Sequence, residues 1–193
     1  EALELAAETP GVFQGVPVVI FGALLSLGVL LAIGRRAGEQ TPRRVAALIA
    51  LGIGLHNFGE GLAIGAAFAT GAAALGSFLV VGFTLHNITE GVGIVAPLTR
   101  QERPPLKIFL LLALLAGAPA ILGTWIGGLA FSPFLAAFFL SLGAGAILQV
   151  IWEVGKLLVR DAQREGGSAL TWLNFGGAAA GVLVMYVTAF LVK

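Results

Sequence analysis

The amino-acid sequence predicts an all-α fold, a polytopic bundle of transmembrane helices, and three observations carry that expectation. Of 193 residues, 58% are hydrophobic and 11% charged, with a mean hydropathy of +0.99, about half the charge of a soluble domain. Six apolar runs are long enough to cross a hydrocarbon core about 30 Å thick, which takes about 20 residues of helix. The basic residues gather in alternate breaks between those runs. A soluble enzyme is excluded on composition alone.

The first run covers about 16–34 and stops at Arg35 and Arg36. The second, about 45–70, follows the turn-forming pair Thr41-Pro42, and the third, about 74–99, follows Gly71. Pro104-Pro105 precedes the fourth at about 106–130, and Ser132-Pro133 opens the fifth at about 133–159. Gly166-Gly167-Ser168 separates it from the sixth, about 169–192. Residues 1–193 thus read as a single transmembrane domain. The 28 glycines, about twice the ordinary share, suit helices whose backbones pack closely in lipid.

Ten of the 11 Lys and Arg residues lie in three breaks: Arg35, Arg36, Arg43 and Arg44; Arg100, Arg103 and Lys107; Lys156, Arg160 and Arg164. The breaks at Gly71 and Pro133 have none. The positive-inside rule therefore puts the three basic loops in the cytoplasm and both termini outside it, in a protein of the plasma (inner) membrane. Glu1, Glu4 and Glu8 fall on the outer side, and Trp152 and Trp172 near the cytoplasmic interface, where indoles prefer to lie. Charges so distributed serve the lipid bilayer as partner and leave no basic face for nucleic acid. The absence of cysteine removes thiolate chemistry, so any metal must be held by nitrogen or oxygen.

Four ionisable residues remain deep inside the apolar runs, near their middles, His56, Glu60, His86 and Glu90, and the chain has no other histidine. A charge at the bilayer centre costs about 2.5–3.5 kcal/mol even on the mildest scales, so each carboxylate calls for a partner. No Lys or Arg lies at that depth. The two local sequences, His56-Asn57-Phe58-Gly59-Glu60-Gly61 and His86-Asn87-Ile88-Thr89-Glu90-Gly91, form a repeat displaced by thirty residues on consecutive helices. Residues four apart share a helix face, so each His and Glu address one centre, with the Asn beside them. Counted from the basic loops, all six polar residues fall within about 9 Å of membrane depth, because the two helices run in opposite directions.

Imidazole, carboxylate and amide oxygen together favour zinc and its neighbours over calcium or magnesium. His56, Glu60, His86 and Glu90 would complete one four-donor centre, with Asn57 and Asn87 available for a second ion beside it. Gly61 and Gly91, together with Gly61-x-x-x-Gly65, would let the two motif helices approach closely. A plainer alternative is that the motifs only hydrogen-bond two helices together, but this does not explain why histidines and glutamates recur in the same order. An intramembrane metal-dependent enzyme is the alternative of a different class. It lacks His-Glu-x-x-His, and the sequence also lacks a P-loop and a glycine-flanked serine nucleophile.

The paired motifs resemble the signatures of the fourth and fifth helices of the ZIP (Zrt/Irt-like) divalent metal transporters, commonly His-Asn-x-Pro-Glu-Gly. Gly145 to Glu153 is similar to that family's seventh helix, and Gly176 to Met185 to its glycine-rich eighth. The resemblance implies helices three to eight of an eight-helix fold, with two N-terminal helices lacking. It also implies transport of zinc toward the cytoplasm, iron, manganese or cadmium being the other ions such ligands hold. The ion would be the transported substrate and not a prosthetic group. His56, Asn57, Glu60, His86, Asn87 and Glu90 each match a family metal ligand. Gly59 and Thr89 replace the two motif prolines, and Ala118, before Pro119, stands where a carboxylate is frequent, which weakens a two-ion site. The short basic segment Arg35 to Arg44 replaces a histidine-rich loop.

Glu153, seven residues in from Arg160, would reach interfacial water, either snorkelling beside Lys156 or standing on the ion's cytoplasmic exit. Gln149, one turn deeper, would serve helix packing or the same path. Gly123-x-x-x-Gly127 suits a homodimer as well as packing inside one bundle. Alternating access around a midplane site, with Glu60 and Glu90 releasing the ion on protonation, is the mechanism these residues suggest, and acid would weaken binding.

Overall fold

The computed structural model describes residue 3 and residues 15–36, 41–99, 104–129 and 132–191. Among them run six long helices: α1, Val16–Arg36; α2, Pro42–Ala69; α3, Ala73–Val95; α4, Leu106–Leu129; α5, Pro133–Arg164; and α6, Trp172–Leu191. The first five are long and apolar enough to cross a membrane, and the apolar run of α6, Trp172–Thr188, is shorter. No strand occurs among the described residues. Glu1, Glu4, Glu8, Arg100 and Arg103, on which part of the charge pattern rests, lie outside them.

The helix ends depart from the apolar runs for local reasons. Thr41 caps α2, its hydroxyl oxygen accepting from the Arg44 N–H at 3.4 Å, and Pro42 fits the first turn, where no donor is needed. The helix therefore starts ahead of its apolar run. Past its other end, Gly71 takes φ +79°, open to glycine at no steric cost. Pro97 has no N–H to continue α3, so its last residues, Ala96–Leu98, wind into a 3₁₀ turn. α5 continues to Arg164, where its apolar run had ended at about 159. At 1.5 Å per residue its 32 residues outreach the hydrocarbon core, so one end projects beyond it. α6 starts late because Thr171 Oγ1 accepts from the Asn174 N–H at 3.1 Å.

α2 is the centre of the bundle: 61% of its apolar window is buried, against 17–39% for the other four spanning helices. α3, α4 and α5 pack around it, α1 lies on α5, and α6 on α3. Its Val45, Ala46, Ile49, Ala50 and Ile53 form a core with Ile94, Leu98, Leu112 and Ala116. Against α4 the contact is backbone to backbone. A Cβ at Gly54, Gly61 or Gly65 would strike the carbonyl oxygen of Leu115, Ala120 or Thr124, and one at Gly123 or Gly127 that of Phe58 or Leu62. Close approach through small residues replaces the hydrophobic effect as the force that joins helices in lipid.

Two sequence expectations change here. Gly61 and Gly65 do not bring the motif helices together, because their face is turned to α4, and Gly91 meets nothing within 4 Å. The Gly123–Gly127 stripe is likewise spent inside the bundle, so it is not free to form a dimer. Gly61→Ala is expected to lower the melting temperature in detergent by an amount equivalent to about 1–3 kcal/mol of overpacking. Gly91→Ala should leave it unchanged or raise it, by up to about 1 kcal/mol of helix propensity.

Candidate metal centre

The centre is built where α2 and α3 meet. The two helices are antiparallel, and each carries its His four residues before its Glu, so the Glu of one helix comes opposite the His of the other. Nε2 of His86 lies 2.6 Å from Oε1 of Glu60, a hydrogen bond that the imidazole N–H donates. The same carboxylate oxygen is 3.3 Å from Nε2 of His56, and that nitrogen is 4.0 Å from Oε1 of Glu90. Ligand atoms of His56, Glu60 and His86 all lie within 4.8 Å of one another. Donors bound to one zinc ion at about 2.0–2.2 Å stand roughly 3–3.5 Å apart, so small rotations close the group around an ion. Glu90 stands at its edge.

The side chains of Glu60 and His86 are 8% and 5% exposed, those of Glu90 and His56 17% and 26%. The centre is thus sealed on the Glu60–His86 side and open on the other. Phe83 presents its ring to His86 at 5.4 Å in an edge-to-face contact, one element of that seal.

The asparagines share a different signature. Nδ2 of Asn57 donates to the Ala116 carbonyl of α4 at 3.1 Å, which leaves its oxygen as the unused end. Oδ1 of Asn57, Oδ1 of Asn87 and Oε2 of Glu90 are buried and have no hydrogen-bond partner among the described residues. Each orphaned acceptor costs about 1–3 kcal/mol. A cation bound beside either motif would satisfy such acceptors.

The residues in place of the motif prolines each have a local role. Thr89 donates its hydroxyl to the His86 carbonyl at 2.6 Å, and Gly59 faces Leu140 of α5. Gly143 of α5, which sequence reasoning missed, lets that helix approach the centre: a Cβ there would stand 3.3 Å from Cα and 3.5 Å from Nδ1 of His56. A single glycine in an apolar run carries no mark that would have singled it out. Ala118 adds no donor on α4.

Glu153 belongs to a separate place. Its side chain is 2% exposed, and the Lys156 ammonium donates to its Oε1 at 2.8 Å. The carboxylate does not itself reach interfacial water, as the sequence suggested, because it is packed near Gly34 of α1; Lys156, 29% exposed, is the end that reaches outward. Together with Leu31, Gly34, Arg35 and Trp152 the pair lines a cleft of about 240 Å³.

A family model described as the ZIP zinc transporter matches residues 35–189. Neither the curated proteins nor the solved structures compared with the chain gave a match. The Asn57 contact makes a prediction independent of any ion. Asn57→Leu, of the same branching but bulkier, should lower the metal-free melting temperature by the equivalent of about 1–3 kcal/mol, because overpacking against α4 and the lost donor to the Ala116 carbonyl together outweigh the relief of the orphaned oxygen.

Proposed function

The chain belongs to the ZIP zinc transporter family, whose members carry divalent metal ions across membranes, and on that premise we propose that it moves zinc toward the cytoplasm through the centre between α2 and α3. The crossed His56/Glu60/His86 cluster beside orphaned oxygens of Asn57, Asn87 and Glu90 supports this reading above all.

His56 and His86 serve as neutral nitrogen ligands, and Glu60 and Glu90 as anionic ones that supply the charge a divalent ion needs in a low-dielectric site. Asn57 and Asn87 contribute weaker amide oxygens. With Ala118 giving no carboxylate, the centre holds one ion. Without an ion, the proton shared by Glu60 and His86 satisfies both groups at 2.6 Å. An arriving ion displaces that proton, so binding releases protons and protonation helps release the ion. The ion enters past Glu60 and His86 from the face that the basic loops leave outside the cytoplasm, and the open side at His56 and Glu90, the pair nearer those loops, serves its release. Both termini lie on that outer face, and the membrane is the plasma (inner) membrane. Rocking of helix groups about the centre opens it to each side in turn. Glu153 receives the ion on its way to the cytoplasm, with Lys156 as its exchangeable partner. Other divalent transition metals, iron, manganese and cadmium, fit the same donors less specifically.

Two outcomes follow. In proteoliposomes holding a fluorescent zinc indicator, the parent chain should admit zinc, and Glu60→Gln combined with Glu90→Gln should abolish both uptake and high-affinity binding by calorimetry, with helicity unchanged; undiminished binding would overturn the assignment. As pH is lowered zinc affinity should weaken, because protons compete with the ion for the imidazole nitrogens and carboxylates, and proton release on binding, read by calorimetry in buffers of different ionisation enthalpy, should be above zero.

A further inference from the structure

Gln149 of α5 is wholly buried, and neither end of its amide has a hydrogen-bond partner among the described residues. An amide so placed is unfavourable by about 1–3 kcal/mol, so packing alone is a poor account of it. A leucine would fill the same space without that cost.

Its position is specific. α2 and α5 run antiparallel and meet in a ladder: Gly143 lies against His56, Gln149 against Gly52, and Glu153 near Gly34 of α1, where Leu48 of α2 also packs. Gly52 is one turn from His56, and Gln149 one turn from Glu153, each step about 6 Å by helix rise. A Cβ at Gly52 would come within 2.7 Å of Oε1 of Gln149 and within 3.2 Å of the Ala146 carbonyl. The space that a Gly52 side chain would take is therefore bordered by the amide oxygen and by Cγ2 of Val150, at 2.6 Å. The next buried group along α5, Glu153, also keeps an unpartnered oxygen, Oε2.

We propose that Gln149 is a transfer ligand: its amide oxygen, bordering the Gly52 notch, binds the divalent ion as it passes from the His56/Glu60/His86 cluster to Glu153. This rests on the transport reading above. A side-chain oxygen suits an intermediate station, because it coordinates the ion on the stretch between the central cluster and Glu153, where the packing is otherwise apolar. Gly52 keeps the step open, and any larger residue there would displace the amide.

The experiment compares zinc uptake into proteoliposomes, zinc affinity by calorimetry and melting temperature for the full chain and for Gln149→Leu and Gln149→Glu. Gln149→Leu is expected to slow uptake about tenfold or more, the rate equivalent of one lost contact at the barrier, while the affinity of the central cluster stays within about twofold. Its melting temperature should hold or rise, since an orphaned amide has been replaced by an apolar group. Gln149→Glu, which keeps the oxygen, should restore at least half of the lost uptake. Unchanged uptake in Gln149→Leu overturns the proposal and leaves the transport reading standing. Equal loss in both variants, or a lower melting temperature in Gln149→Leu, identifies a structural amide and also overturns it. If the parent chain admits no zinc, the transport reading itself fails and this step with it.

Discussion

Two carboxylates buried in lipid-spanning helices without a Lys or Arg beside them set the terms for the rest of the structure. Their charge must be met by imidazole, by a proton or by an ion, and each of these acts only at close range. The crossed arrangement of α2 and α3 meets that need: antiparallel helices with the same His-to-Glu spacing put each carboxylate opposite an imidazole, and Glu60 lies 2.6 Å from His86. On the proposed reading, a proton and a divalent ion would compete for the same few atoms. That competition is the physical basis for a site that both holds and releases an ion.

The glycine pattern supports the centre indirectly. The tight contact of α2 is made with α4, where Gly54, Gly61 and Gly65 meet carbonyls of that helix. The same packing brings the Ala116 carbonyl within reach of Asn57, whose nitrogen is thereby occupied. α5 closes the third side, with Gly143 against His56. Three helices thus clamp α2, and its two-face division, small residues toward α4 and ligands toward α3, lets one helix serve both stability and chemistry.

Much of this was legible in the sequence, and the gaps have physical causes. Hydropathy and loop charge predicted the order of the helices because lipid permits few alternatives. The central residues were legible because ionisable groups in apolar runs are rare, and the depth count brought Glu60 and His86 to nearly one level. The partner of each glycine was not legible: a small residue shows that something approaches, without showing which helix does. Gly61 and Gly91 occupy equivalent motif positions, yet one lies against a carbonyl and the other faces open space. Glu153 was placed at the right end of α5, but its burial depends on α1, whose packing leaves no trace in the sequence of α5.

The most direct test of the centre is zinc K-edge X-ray absorption on the zinc-loaded protein, since the chain has only two histidines and no cysteine. The account predicts a nitrogen and oxygen shell at about 2.0–2.1 Å with the outer-shell scattering of two imidazoles. A shell of oxygen alone, without imidazole scattering, would contradict it.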